Sequence, residues 1–182
     1  MVKLGEEAIV DLTAFSLQGK SKSSLRHAYN KIEREGCHFE MVNKDSVSAI
    51  LLELKAISDD WLQQKNTKEK GISLGFFSEQ YLLRGDVGVL RLNDKIVAFA
   101  NIWRPDTKTE LSIDLMRYSS DAPNGAMEYL TIAIMLWAKE QGYQKFNLGM
   151  APLSGIEYRT FAPLWNKLGS SIFKYGNEFY HF

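Results

Sequence analysis

Hydrophobic residues in the middle of the chain alternate with polar ones in a pattern typical of β-strands. Three such runs follow one another, at residues 87–92, 96–103 and 111–116. Asn93-Asp94 predicts a tight hairpin between the first two, and Pro105-Asp106 begins a wider turn before the third. The run 96–103 is apolar on both faces except at Asn101. It should therefore lie in the centre of a sheet, with helices above and below.

The third run carries charged residues beside its apolar ones. Strict alternation assigns its residues to two faces. One face would hold Leu111, Ile113 and Leu115, and the other Ser112, Asp114 and Met116. A carboxylate in such a strand is costly unless it is paired or hydrogen-bonded. Asp114 therefore either forms a structural ion pair with Arg117 or belongs to a site that binds an ammonium group or handles a proton.

Helical spacing of apolar side chains marks four other stretches of the chain. They are residues 20–36, 45–64, 76–83 and 126–141. Asp45 is expected to cap the second, and the aromatic residues of the third fit core packing better than stacking on a ligand. Short strands are expected at residues 4–12, 37–42 and 145–148. The last should run parallel to the strand 111–116 through a right-handed crossover.

A polar turn, Pro123-Asn124-Gly125, precedes the helix 126–141. Backbone N–H groups at a helix N-terminus favour a negatively charged ligand, and Gly125 would let the backbone approach it closely. Alternatively, Asn124 and Gly125 only cap the helix. Beyond residue 148 the pattern predicts a loop at 149–155, a helix at 157–167, and strands at 171–175 and 179–182.

A basic stretch runs from residue 20 to residue 36. Its cations are Lys20, Lys22, Arg26, Lys31 and Arg34. Such a helix could contact the phosphates of a tRNA or of an acidic headgroup. A solvated helix face is the more common explanation of this pattern, and Glu33 and Glu35 offset part of the charge.

Composition narrows the functional classes. A length of 182 residues fits one domain. A formal net charge of zero indicates no general affinity for nucleic acid. With one cysteine, the chain cannot form an internal disulfide. No apolar run is long enough to cross a membrane, which predicts a soluble chain. The three histidines are not spaced as metal ligands usually are. The sequence contains neither the glycine-rich motifs that bind nucleotide phosphates nor the G-x-S-x-G motif of serine hydrolases. These observations argue against a metal site, a nucleotide site and a serine nucleophile.

The strand order and the turn before the helix 126–141 resemble the GNAT acyltransferase fold. This resemblance implies an α+β fold with a mixed, mostly antiparallel central sheet flanked by helices on both faces. In that fold the turn usually carries a Q/R-x-x-G-x-G/A pattern, which binds the pyrophosphate of acetyl-CoA. The matching segment 120–126 has one glycine and an acidic residue, and it lacks the Gln or Arg with which the pattern begins. The donor is therefore expected not to be acetyl-CoA, and no cofactor is expected.

A closer resemblance extends over nearly the whole chain. It rests on short motifs that are specific only in combination. They include Leu25-Arg26, Gly75-Phe76-Phe77, Ala98-Phe99-Ala100-Asn101, Asp114-Leu115-Met116-Arg117, Asp121-Ala122-Pro123-Asn124-Gly125 and Asn147-Leu148-Gly149-Met150-Ala151-Pro152-Leu153-Ser154-Gly155. These motifs resemble the cytosolic C-terminal domain of the phosphatidylglycerol lysyltransferases, also called multiple peptide resistance factors or aminoacyl-phosphatidylglycerol synthases.

The resemblance implies transfer of lysine, or another amino acid, from aminoacyl-tRNA to the glycerol hydroxyl of phosphatidylglycerol. Such transfer changes lipid charge and gives resistance to cationic antimicrobial peptides. Asp114 and Arg117 match the family's active-site strand and Glu178 its C-terminal acidic residue, so these three are the predicted catalytic residues. Substrate contacts are predicted at Ser112, Tyr81, Asn124, Gly125, Asn147 and Met150. Contacts to tRNA phosphates are predicted at Lys20, Lys22, Arg26, Lys31 and Arg34.

In the family this domain is a tandem of two GNAT-like lobes, preceded by transmembrane helices that flip the lipid product. The resemblance therefore implies the cytoplasmic face of the bacterial membrane, with residues 1–182 as the second lobe, shortened at both ends. Such a fragment is expected to be inactive alone and to self-associate. Two other hypotheses stay open. One is a CoA-dependent N-acetyltransferase, and the other is a non-catalytic tRNA-binding module that uses the helix 20–36.

Overall fold

A computed structural model of the chain describes residues 5–69, 75–152 and 154. The elements, in chain order, are β1 (Gly5–Asp11), α1 (Ser23–Arg34), β2 (Cys37–Val42), α2 (Lys44–Val47), α3 (Leu51–Gln64), α4 (Glu79–Leu82), β3 (Val87–Leu92), β4 (Lys95–Trp103), β5 (Glu110–Tyr118), α5 (Ala126–Glu140) and β6 (Lys145–Pro152). Short 3₁₀ turns at Lys20–Lys22 and Ser48–Ile50 lead into α1 and α3.

The strands form a mixed, mostly antiparallel sheet in the order β1-β6-β5-β4-β3-β2. β2, β3, β4 and β5 pair antiparallel with one another in turn. Asn93 and Asp94 both have positive φ, 49° and 67°, as a two-residue hairpin with the strand twist requires. The larger of two compact units spans residues 10–146 and contains β2 to β5; the smaller contains the first part of β1 and most of β6.

Within the larger unit, helices cover both faces of the sheet. On the α5 face, α1 and α5 pack on a core that includes Leu130. On the α3 face, α3 packs through Leu54 against a second core that includes Phe99. β4 is buried from Ile96 to Ile102, as expected for a central strand. The predicted α+β fold class, with its flanked and mostly antiparallel sheet, is therefore confirmed.

The helix predicted at 45–64 is broken into α2, a 3₁₀ turn and α3. Its cap is Asn43 rather than Asp45, because Asn43 has an extended backbone and its side chain accepts the N–H of Asp45 at 3.4 Å. The break is the 3₁₀ turn Ser48–Ile50, which follows α2 directly, and serine at positions 46 and 48 has a lower helix propensity than most residues of α3. The apolar spacing continued across the break and concealed it.

Two further boundaries differ from the prediction. The helix expected at 76–83 is only α4, because Ser78 before it has an extended backbone and Phe77 donates its N–H to Glu69 at 3.4 Å. The loop expected at 149–155 is strand as far as Pro152, although Gly149 has φ of 90°. A glycine inside a strand marks a local irregularity rather than its end. The elements predicted at 157–167, 171–175 and 179–182 lie outside the described residues.

Two stacked tyrosines connect α1 to α5. The ring centroids of Tyr29 and Tyr129 lie 4.5 Å apart, and Tyr129 is only 2% exposed. Burial raises the pKa of both phenols above the ordinary value of 10.0. A raised folded-state pKa means that the folded chain keeps phenolic protons that the unfolded chain releases. The resulting stability is complete below about pH 10 and is lost as the pH rises further.

We therefore expect the free energy of unfolding to fall as the pH rises above about 10. The Tyr129→Phe variant should show a flatter pH dependence in that window, because one of the groups that drives the loss has been removed. Urea unfolding followed by circular dichroism on both sides of pH 10 measures the two slopes. An equally steep loss in the variant would contradict the assignment to Tyr129.

Candidate active site

β5 contains a β-bulge where the predicted catalytic residues lie. The register between β4 and β5 shifts between Ala100 and Ile102. Two residues of β5, Asp114 and Leu115, consequently oppose one residue of β4, Asn101. A bulge of this kind bends its strand and changes the direction of the side chains on it.

Asn101 satisfies the backbone of the bulge. Its side-chain Oδ1 accepts the N–H of Asp114 at 3.2 Å and that of Leu115 at 2.7 Å. Asn101 is only 4% exposed, so solvent has little access to these two N–H groups. One buried amide side chain thus provides the acceptor for both backbone N–H groups of the bulge.

The bulge decides which side chains share a face. Ile113 belongs to the core of the α5 face, whereas Leu115 belongs to the core of the α3 face. The prediction that Leu111, Ile113 and Leu115 share one face is therefore wrong, because the extra residue reverses the alternation. In a regular strand, residues three apart point to opposite faces. The bulge instead brings both Asp114 and Arg117 to the α3 face, where they contact α4 and α3 respectively.

Asp114 is held by donors from the segment before α4 and from α4 itself. The Gly75 N–H donates to Oδ1 at 2.8 Å, and the Tyr81 hydroxyl donates to Oδ2. The indole N–H of Trp103 donates in turn to the Tyr81 oxygen at 3.2 Å. Burial, and then the hydrogen bond to Asp114, raise the pKa of Tyr81. Tyr81 is therefore a neutral O–H donor at physiological pH.

Arg117 lies over α3. Its guanidinium carbon is 4.0 Å from the ring centroid of Trp61, and its Nη2 is 3.3 Å from Oε2 of Glu69. Burial lowers the pKa of Arg117 and Glu69 opposes that shift, so the side chain keeps its positive charge. Nε is buried and has no hydrogen-bond partner among the described residues. The structure therefore pairs Arg117 with Glu69 and not with Asp114, and the structural ion pair considered above does not form.

A shallow pocket of about 300 Å³ opens beside this cluster. It is lined by Trp103, Arg104, Pro105, Glu110 and Ser112. Ser112 pairs with Trp103 across the two strands and lies two residues before Asp114. The ring centroids of Trp103 and Tyr81 are 5.4 Å apart, so the pocket wall is continuous with the groups that hold Asp114.

The structure therefore brings four predicted site residues to one face of the sheet. They are Ser112, Tyr81, Asp114 and Arg117. Gly125 begins α5 with φ of 94°, and its nearest side-chain neighbour is Ile32 of α1, so it lies on the α5 side. Asn124 precedes it in the same turn. Asn147 and Met150 belong to the smaller unit, where Asn147 donates to Glu7 at 2.8 Å. Glu178 lies outside the described residues.

The basic stretch is only partly free for a ligand. Arg26 donates to the carbonyl oxygens of Leu17 at 2.6 Å and Gly19 at 3.2 Å, so it fastens the preceding loop to α1. Lys31 lies 3.7 Å from Glu35, and Arg34 donates to a carbonyl within α1. The remaining cations, Lys20 and Lys22, are exposed in the 3₁₀ turn. A phosphate-binding role stays a prediction.

Sequence reasoning missed three residues that shape the site. Asn101 was visible as the lone polar residue in an apolar central strand, which is a signal of a buried hydrogen-bonding role. Glu69 and Gly75 gave no such signal, because their contacts to β5 span 48 and 39 residues of sequence. Within the described ranges, no cluster of His, Cys, Asp or Glu could hold a metal ion. In the same part of the chain, no helix is long and apolar enough to cross a bilayer.

A family model described as the C-terminal part of phosphatidylglycerol lysyltransferase matches residues 1–182. The phosphatidylglycerol lysyltransferase of Bacillus subtilis (strain 168) is 46% identical over 171 residues, which are 93% of this chain and 20% of that protein. The corresponding protein of Staphylococcus xylosus is 35% identical over 181 residues, 99% of this chain and 21% of that protein. The chain thus spans about one fifth of the length of these relatives.

Solved structures agree with this match. A C-terminal domain named for lysylphosphatidylglycerol synthetase in Agrobacterium fabrum is 46% identical, with a TM-score of 0.85 over 100% of this chain and 54% of that one. L-PGS from Bacillus licheniformis is 46% identical, with a TM-score of 0.82 over 93% of this chain and 52% of that one.

A more distant neighbour defines the fold. The GCN5-related N-acetyltransferase region of a fungal multi-domain β-N-acetylglucosaminidase is 13% identical, with a TM-score of 0.51 over 82% of this chain and 18% of that one. At this identity the likeness shows a shared GNAT-like fold and nothing of the reaction. The family match and the more similar relatives show that the chain belongs to the family of phosphatidylglycerol lysyltransferase C-terminal domains.

Proposed function

We propose that the protein transfers an aminoacyl group, lysyl in the first instance, from aminoacyl-tRNA to the glycerol hydroxyl of phosphatidylglycerol. Family membership supports the lipid acceptor and the lysyl group. The single observation that carries the proposal is the α3-face cluster, in which a bulge aims Asp114 and Arg117 to the same side. An anionic and a cationic group on one face suit an ester that has an α-ammonium group beside its reacting carbonyl.

The transfer of an aminoacyl group to an alcohol depends mainly on positioning of the two substrates. An aminoacyl ester is already activated, so the attack of an alcohol needs orientation, removal of a proton and stabilisation of the oxyanion. Among the described residues, each oxygen of Asp114 accepts one donor, Gly75 at Oδ1 and Tyr81 at Oδ2, and a carboxylate oxygen can accept a further hydrogen bond. Asp114 therefore pairs with the α-ammonium group of the donor and fixes the ester carbonyl relative to the sheet.

Arg117 supplies the positive charge on the same face. Its side chain is 11% exposed and is held by Trp61 and Glu69, so its position varies little. A fixed cation stabilises negative charge more effectively than a mobile one because it needs no reorganisation as the charge develops. We assign Arg117 to the oxyanion or to the lipid phosphate, and Glu178 to a second acidic role.

Gly75→Ala tests whether the Asp114 carboxylate must stay where it is. An added Cβ would lie 2.5 Å from Oδ2 and 2.9 Å from Cγ of Asp114, so the carboxylate has to move. A displacement of this size should lower transfer by about 10- to 100-fold in assays of kcat/KM. The control is Gly142→Ala, where φ is 85° and an added Cβ would meet no atom of the described residues within 4 Å, its chain neighbours apart. This control should lose about 1 kcal/mol of stability and keep its activity; equal activity in both variants would contradict the placement.

The consequence for the membrane follows from charge. Phosphatidylglycerol carries a negative charge, and a lysyl ester adds two ammonium groups, so the product makes the surface less attractive to cationic peptides. We propose that the reaction takes place at the cytoplasmic face of the bacterial membrane, next to transmembrane helices of the full-length protein. Exposed cations at Lys20 and Lys22 would contact tRNA phosphates there.

The test of the proposed function uses labelled lysyl-tRNA with vesicles that contain phosphatidylglycerol. The full-length protein should move label into lipid, and the 182-residue chain is assayed beside it. Vesicles of phosphatidylcholine alone are the control for the acceptor and should stay unlabelled. Absence of lipid label with every aminoacyl-tRNA tried would contradict the proposal.

The two other hypotheses give different results in binding assays. A CoA-dependent acetyltransferase should bind acetyl-CoA saturably in calorimetry. The turn before α5 does not favour such binding, because Nζ of Lys95 lies 2.5 Å from Oδ2 of Asp121 and the pair leaves no excess positive charge for a pyrophosphate. A non-catalytic tRNA module should lose affinity steeply with salt and on Lys22→Ala, with Lys55→Ala on α3 as the control. Arg26→Ala is less informative, because Arg26 supports the fold of the preceding loop.

A further inference from the structure

We propose that Glu69 is a positioning residue of the transfer reaction, which acts by fixing the guanidinium group of Arg117. This inference rests on the proposed function and deepens it, because it adds a residue outside β5 on which transfer depends. Glu69 acts through Arg117 rather than on a substrate. Its carboxylate determines where the N–H groups of Arg117 point, and these groups meet the developing oxyanion or the lipid phosphate.

The guanidinium group of Arg117 contacts an aromatic ring, a neighbouring carbonyl and a carboxylate. Its carbon atom lies 4.0 Å from the ring centroid of Trp61, Nη1 donates to the Met116 carbonyl at 3.1 Å, and Nη2 lies 3.3 Å from Oε2 of Glu69. A ring face attracts a cation but does not dictate the direction of its N–H groups. Met116 precedes Arg117 on β5, so its carbonyl moves with the strand. Glu69 therefore provides the directional contact from outside the strand.

Glu69 is itself held by groups of the α3 face. The hydroxyl of Ser58, a fully buried residue of α3, donates to Oε1 at 3.4 Å. The Phe77 N–H donates to the same oxygen at 3.4 Å. The ring of Phe77 packs edge-on against Phe99 in the core, with centroids 6.4 Å apart. One oxygen of the carboxylate thus faces donors that the core fixes, and the other faces Arg117.

The charge of Glu69 also matters, because Arg117 lies in a poorly solvated position. Burial lowers the pKa of Arg117, and the negative charge of Glu69 opposes this shift. A largely buried cation that loses its counter-charge turns toward water where it can. Loss of the Glu69 carboxylate should therefore move the guanidinium group away from the site while every residue assigned to a substrate stays in place.

The contact with Glu69 leaves Arg117 able to serve a ligand. Glu69 and Met116 each accept one N–H, from Nη2 and Nη1 respectively. Each terminal nitrogen of a guanidinium group carries a second N–H that can donate to an anionic oxygen. The ligand of the positioned cation is therefore an oxyanion or a phosphate, and Glu69 determines the direction from which it is met.

The experiment is a double-mutant cycle with the full-length protein, labelled lysyl-tRNA and phosphatidylglycerol vesicles. Glu69→Gln keeps the shape of the side chain and removes its charge, so kcat/KM should fall about 10-fold. Arg117→Ala should lower it about 100-fold. In the Arg117→Ala background, Glu69→Gln should change kcat/KM by less than about twofold, because no guanidinium group remains to be positioned.

The kinetic parameters separate positioning from a general loss of folded protein. Glu69→Gln should keep the wild-type KM for lysyl-tRNA, because Asp114 binds the donor. Its loss should appear in the parameter that Arg117→Ala also changes, either kcat or KM for phosphatidylglycerol. A loss of folded protein would instead lower transfer by the same factor in the presence and in the absence of Arg117.

The control is Glu40→Gln, the same chemical change in an arginine–glutamate pair away from the site. Oε2 of Glu40 lies 2.5 Å from Nε of Arg91, and the pair joins β2 to β3. This variant should keep wild-type kinetics. Wild-type transfer in Glu69→Gln, or an equal loss in both backgrounds, would overturn the positioning role and leave the proposed function standing. A wild-type protein that transfers no aminoacyl group would overturn both, so the two failures are distinguishable.

Discussion

Asp114→Ala should lower lysyl transfer by at least about 100-fold while the chain remains folded. The substitution removes the carboxylate to which Gly75 and Tyr81 both donate, and with it the negative charge that we propose pairs with the donor. The Gly75 and Tyr81 donors lie in a partly buried position that water can reach, so the stability loss should be limited to about 1 kcal/mol. Steady-state transfer with varied lysyl-tRNA, together with urea unfolding, measures the two effects separately.

Two comparison variants sharpen this prediction. Asp59→Asn removes a carboxylate that is 60% exposed and pairs with Lys55 within α3, and it should change neither activity nor stability by much. Asp114→Asn keeps the shape but loses the charge. If Asp114 pairs with the α-ammonium group, the loss in Asp114→Asn should appear mainly in KM for the donor. Wild-type kinetics in Asp114→Ala would remove Asp114 from the active site.

Asn101→Leu should cost about 2 to 5 kcal/mol of stability and abolish most transfer. The leucine would leave the N–H groups of Asp114 and Leu115 buried without an acceptor. Stability could then be recovered only if the bulge closes into a regular ladder, which would turn Asp114 and Arg117 to opposite faces. The activity loss therefore has a geometric cause beyond lower stability, and it should persist at temperatures where the variant is fully folded.

Thr131→Val is the matched control for Asn101→Leu. It also replaces a hydrogen-bonding side chain by an apolar one, but the Thr131 hydroxyl donates to the Met127 carbonyl within the same helix, α5. That carbonyl keeps its helical partner, so the change should stay within about 0.5 kcal/mol. Denaturant unfolding of both variants measures the difference. A similar small loss for Asn101→Leu would show that the bulge does not depend on the Asn101 side chain.

The elements that local patterns determine could be predicted from the sequence. β2 and β3 have the predicted bounds, and the Asn93-Asp94 hairpin has the expected left-handed geometry. α5 also lies where its apolar spacing indicated. These features depend on alternation, on turn chemistry and on helical periodicity, all of which are encoded within a few consecutive residues.

The geometry of the site could not be predicted in the same way. Alternation placed Leu115 with Ile113, and only the register against β4 shows that the bulge separates them. The partner of Arg117 is Glu69 from the loop after α3, which no short-range pattern connects to β5. The family resemblance identified Asp114 and Arg117 as a pair, and the structure supplies the reason that two residues three apart share one face.

Lipid composition is the most direct test of the central claim, which is that the α3 face of this domain transfers lysine to phosphatidylglycerol. Full-length protein, wild type or Asp114→Ala, is produced in cells that contain phosphatidylglycerol but no lysylphosphatidylglycerol. Mass spectrometry of the extracted lipids then measures the lysyl ester. Lysylphosphatidylglycerol in wild-type cells and its loss in Asp114→Ala cells, at equal protein levels, is the predicted result. Equal amounts of the lysyl lipid in both, or none in wild-type cells, would contradict the account.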